Sequence, residues 1–138
     1  MKRILLTLIA LLLTLTTLQA QRISYIETTR SWHHVYDENG KKVHTISTSQ
    51  GQVVAYSDTF YILKHGSWYY TCAPRGKKLH TFSVTNVGDI LTATGDTFTS
   101  RKGSWLYTWS KSGKKLSTRP APKITHPHYL SILRASSP

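Results

Sequence analysis

The sequence predicts an all-β protein made of antiparallel hairpin repeats. Three observations carry that expectation: an internal repeat, strand-like alternation within it, and a turn signature that recurs in register. Residues 30–44 read RSWHHVYDENGKKVH, residues 66–80 read GSWYYTCAPRGKKLH, and residues 103–117 read GSWLYTWSKSGKKLS. Repetition at a period of roughly 20 to 50 residues marks solenoids, propellers and arrays, whose units bury their apolar faces only against neighbours.

The unit extends upstream of the tryptophan. GQVVAYSDTFYILKHGSWYYT aligns with GDILTATGDTFTSRKGSWLYT, with one-residue slips either side of Asp58-Thr59-Phe60 and Asp96-Thr97-Phe98. The period is therefore about 37 residues, in two full copies and a shortened first copy that begins near Arg22. Successive side chains of a strand point to opposite faces. Trp68, Tyr70 and Cys72 thus share a face, as do Trp105, Tyr107 and Trp109, and Trp32, His34 and Tyr36. These aromatics read first as core. After the leader, no long segment has helical periodicity.

The joint that follows is well specified. Asp37-Glu38-Asn39-Gly40, Ala73-Pro74-Arg75-Gly76 and Ser110-Lys111-Ser112-Gly113 share one grammar. Asp or Ser opens a type I turn, Pro suits its second position, and Gly closes it in a left-handed conformation that forms a hairpin bulge. Each turn then runs into Lys-Lys. About ten or eleven short strands result. They suit a small barrel, a sandwich or a propeller-like meander. Two and a half copies cannot close a ring of four or more blades unless oligomerisation completes it.

Residues 1–20 read as a secretory signal peptide: Lys2 and Arg3, an apolar stretch, then a small residue, Ala20, before Gln21. The apolar stretch is shorter than the roughly 20 residues of a spanning helix, so no stable membrane span is expected after cleavage. Residues 21–119 form the repeat domain. Residues 120–138 read as an irregular tail whose apolar run, 129–133, suits an edge strand. Sixteen of the eighteen Lys and Arg and all six acids lie beyond residue 20, giving the remainder a net charge of +10. That excess favours anionic partners. Cys72 is the single cysteine, so no internal disulfide forms. It aligns with Tyr36 and Trp109, which marks it as a buried hydrophobe; pairing between chains is the alternative.

At the level of the GDTF, GSWxYT and GKKL segments, residues 22–119 resemble short exported bacterial repeat proteins with Gly-Ser-Trp hairpins followed by Gly-Lys-Lys. The chain is also loosely similar to WG-type repeat proteins, whose units are aromatic β-hairpins with a Gly-Lys turn. Trp32, Trp68 and Trp105 depart from that pattern, because none is followed by Gly. The resemblance implies a hairpin array and carries over no catalytic residue.

Catalytic signatures are missing from the sequence: there is no Gly-x-Ser-x-Gly elbow, His-Glu-x-x-His pair or glycine-rich phosphate loop. Asp37, Asp58 and Asp96 read as turn residues rather than paired carboxylates. Seven histidines include the repeat-equivalent His44 and His80, replaced by Ser117 in the third copy. They read as exposed strand-face residues rather than metal ligands. No catalytic residue, metal or cofactor is therefore expected. The six turn lysines remain: Lys41, Lys42, Lys77, Lys78, Lys114 and Lys115. Copies stacked in register would align them into one basic ridge, with Arg75 and Lys111 adding to it. Such a row attracts a polyanion through counterion release. The plainer use of these lysines is solvation and edge protection. The expected function is a non-enzymatic surface interaction in the periplasm or outside the cell. Its partners would be anionic polysaccharide, lipopolysaccharide or extracellular nucleic acid. The alternative is self-assembly or binding to an envelope protein.

Overall fold

The computed structural model describes residues 21–123. The expected leader, residues 1–20, and the apolar run at 129–133 lie outside the described residues. The described residues are all-β and form three separate sheets. β1 (Ile23–Thr28), β2 (Trp32–Asp37) and β3 (Lys42–Ser47) make the first. β4 (Gln52–Tyr56), β5 (Tyr61–His65), β6 (Trp68–Cys72) and β7 (Lys78–Ser83) make the second. β8 (Asp89–Thr94), β9 (Thr97–Lys102), β10 (Trp105–Ser110) and β11 (Lys115–Pro120) make the third. These are the shortened copy and the two full copies. β11 reaches one residue into the segment expected as tail.

Every ladder is antiparallel and joins strands consecutive in sequence. A 3-10 turn (Thr48–Gln50) leads from the first sheet to the second, and a one-turn helix α1 (Val84–Val87) from the second to the third. Among the described residues no sheet closes on itself, so the barrel expectation is corrected. Each linker begins a new sheet that stacks on the last one face to face instead of extending its edge. Among the described residues no helix is long and apolar enough to cross a membrane.

The turns form as their residues dictate. Gly40, Gly76 and Gly113 have φ of 75°, 98° and 111°, where glycine alone is unstrained. Their N–H groups donate to the carbonyls of Asp37, Ala73 and Ser110 at 3.0, 2.8 and 3.1 Å. The pairing register slips between Val35 and Tyr36, Thr71 and Cys72, and Thr108 and Trp109, which is the expected bulge.

The second sheet is covered on both faces. Tyr61, Ile62 and Leu63 of β5 are all buried, so the first three residues of this strand are buried in succession rather than alternating. Tyr61 and Leu63 join Ile23, Val35, Ile46 and Cys72 against the first sheet. Ile62 joins Phe60, Tyr69, Phe82, Val87, Phe98 and Trp109 against the third. The leading strands converge on one side, where Ile26 of β1, Val54 of β4 and Leu91 of β8 line a groove of about 380 Å³.

Two expectations about faces are corrected. Trp32, Trp68 and Trp105 are 48%, 49% and 47% exposed and are not core. Each is the first residue of its strand, at the end remote from the lysine turn. His33, expected on an exposed face, is only 2% exposed. Its Nε2 donates to the Gly51 carbonyl and its Nδ1 accepts from Thr28 Oγ1, both at 2.8 Å. The repeat-equivalent Tyr69 donates its hydroxyl to the Gly88 carbonyl at 2.8 Å. Both residues point at the sheet that follows and satisfy the carbonyl from which it starts.

Candidate anion-binding face

All six turn lysines are exposed. Their turns are placed by contacts between copies. The His44 ring lies where a Cβ on Gly76 would project, and the His80 ring where one on Gly113 would. Each histidine stands two residues beyond its own Lys-Lys. Turn two is thus seated on the first sheet beside the first lysine pair, and turn three on the second sheet beside the second pair. The three tips follow one another along one side of the stack. Gly40 has no preceding sheet and open space around it.

The lysines divide into two kinds. The backbone of the first lysine closes the turn: Lys41, Lys77 and Lys114 accept from the N–H of Asp37, Ala73 and Ser110 at 2.9, 2.7 and 2.7 Å. The Lys41 N–H also donates to Asp37 Oδ1 at 2.9 Å, and the Lys114 N–H to Ser110 Oγ at 3.0 Å. Among the described residues their ammonium groups form no ion pair. In the second and third turns the second lysine folds back on its own sheet. Lys78 Nζ lies 4.2 Å above the Tyr70 ring, and Lys115 Nζ 4.1 Å above Tyr107 and 5.1 Å from Trp109. Lys42 pairs in register with Tyr36, whose ring stacks on Tyr25 at 4.6 Å.

Two expected contributors are diverted. Lys111 Nζ pairs with Asp96 Oδ1 at 2.9 Å, and Arg75 Nε donates to Gln21 Oε1 at 2.6 Å. The Asp96 carboxyl is held below the usual carboxylate range by Lys111 and then by Thr59, whose hydroxyl donates to it at 2.8 Å. This acid ties the third turn to the second sheet and takes one cation out of the ridge.

One feature lay beyond sequence reading. Between the first two sheets is a cleft of about 440 Å³, lined by His44, Ile46, Tyr61, Leu63, Tyr70 and Cys72, among others. Burial pushes the Cys72 thiol up and His44 down from their ordinary values. The signal that could have found the cleft is the pairing of Cys72 with Trp109 between copies, a small side chain where the repeat elsewhere places a large one. Among the described residues no cluster of three or more His, Cys, Asp or Glu could hold a metal. No family model matches the chain, and no curated protein matches it in sequence.

Proposed function

We propose that the protein is an exported, non-enzymatic module that binds anionic polymers along its file of Gly-Lys-Lys turns. One observation carries this reading: Gly76 and Gly113 are each seated under the preceding sheet's histidine, which sets the second and third turns beside the lysine pairs of the first and second. The charges of Lys41, Lys77 and Lys114 are exposed and free of ion pairs among the described residues, within a region of net charge +10. Point charges in a row suit phosphate, sulfate or carboxylate groups along a chain, and need no base-reading donors. Lys78 and Lys115 lie over aromatic rings of their own sheets and are held back from the tips.

The test is binding of the 21–138 chain to immobilised heparin and to single-stranded DNA across a salt series. Wild type is expected to bind with a steep salt dependence. Changing Lys41, Lys77 and Lys114 to Ser should remove most of it, at about 0.7 of slope per lost DNA contact. Changing Lys42, Lys78 and Lys115 should remove less. Equal behaviour of all three proteins would reduce the lysines to solvation.

A further inference from the structure

The two stacking interfaces share one frame. In the first, Cys72 of β6 pairs with Tyr61 and Lys78, and His44 covers Gly76. In the second, Trp109 of β10 pairs with Phe98 and Lys115, and His80 covers Gly113. The second interface is filled by the Trp109 indole. It meets Phe82 edge-on at 5.6 Å, stacks on Phe98 at 6.4 Å and donates its Nε1–H to Ser100 Oγ at 2.9 Å. The first interface has Cys72 in that place, Ile46 where the other has Phe82, and Leu63 where it has Ser100. The missing indole leaves the cleft of about 440 Å³. That volume lies within the roughly 300–1,000 Å³ of small-molecule sites.

We propose that this cleft binds a planar aromatic anion of the indole- or aryl-carboxylate class. The shape argument is internal to the molecule, since the same frame one repeat later holds a flat bicyclic ring. The walls suit that ring: Ile46, Leu63 and Cys72 are apolar, and Tyr61 and Tyr70 offer faces and edges. The charge argument is independent. Lys78, His44 and His65 line the cleft, and among the described residues no acid does. Lys78 Nζ is held 4.2 Å above Tyr70, so a ring laid against the floor directs a carboxylate to it. Ser49 and Gln50 at the rim supply further polar groups.

Cys72 is a built-in reporter, because it lines the cleft and is the single cysteine. The experiment uses indole-3-acetate and neutral indole as probes, with calorimetry and the alkylation rate of Cys72 as readouts. Indole-3-acetate is expected to bind wild type and to slow alkylation by about tenfold or more at saturation. Lys78→Ala should weaken indole-3-acetate by about tenfold, the scale of one charged hydrogen bond, while leaving indole nearly unchanged. Cys72→Trp should abolish binding of both, because the protein's own indole then fills the slot. The proposal is overturned if indole-3-acetate produces neither heat nor protection in wild type. It is equally overturned if folded Cys72→Trp binds as wild type does, or if Lys78→Ala weakens both probes alike. Should Cys72→Trp fail to fold, protection of wild-type Cys72 together with the Lys78→Ala comparison decides.

Discussion

His44 links burial to pH at the scale of one side chain. Its ring lies over Gly76, and partial burial holds its pKa below the ordinary histidine value. The folded state therefore favours the neutral ring, while the unfolded chain takes up a proton near pH 6.5. Below that pH the unfolded state binds more protons, so stability rises with pH across the window between the two pKa values. Acidification through about pH 6.5 should destabilise the fold, and the loss should level off below the folded pKa. Urea midpoints at neutral and mildly acidic pH check this: His44→Gln should show a smaller acid-induced drop than wild type. Equal drops would mean that His44 titrates alike folded and unfolded. His33, by contrast, is fixed by two hydrogen bonds and does the work that Tyr69 does one repeat later. A Tyr-to-His correspondence of that kind is invisible until the partner carbonyl is known.

At the scale of the element, the hairpin turn is the best-specified part of the chain. Gly40, Gly76 and Gly113 share a left-handed backbone, but only the last two lie beneath a histidine. Gly40→Ala should cost about 1–2 kcal/mol, the ordinary left-handed penalty. Gly76→Ala and Gly113→Ala should cost more, since a ring must also move. Chemical denaturation of the three variants checks the order, and three equal costs would mean that the histidines yield freely. The turns, the strands and the repeat count were legible because each depends on a few neighbouring residues. The exposed tryptophans were not. Alternation tells which residues share a face, but not how far the next sheet reaches along it. The cleft was hidden for the same reason, being a property of two copies together.

Across the whole molecule, stacking follows a directional code written on the trailing face of each sheet. The first two sheets offer His33 or Tyr69 to the next carbonyl, Ile46 or Phe82 to the core, and His44 or His80 to the next turn. The third has Leu106, Arg119 and Ser117 at those positions, and both Arg119 and Ser117 are exposed. Two of these three positions are thus polar where the first two sheets carry the side chains that dock the next sheet. The 21–138 chain is expected to sediment as a monomer. Ser117→His combined with Arg119→Phe should produce concentration-dependent self-association, and a double variant that stays monomeric would show that these positions do not suffice. The sequential pairing of strands has a kinetic consequence. All-β proteins generally fold slowly because distant segments must meet before contacts reward them. Here every ladder closes over a short connection, so little loop entropy opposes it. The slow events left to this chain are collisions between sheets already formed, and its folding clock is set by docking rather than by the search for strand partners.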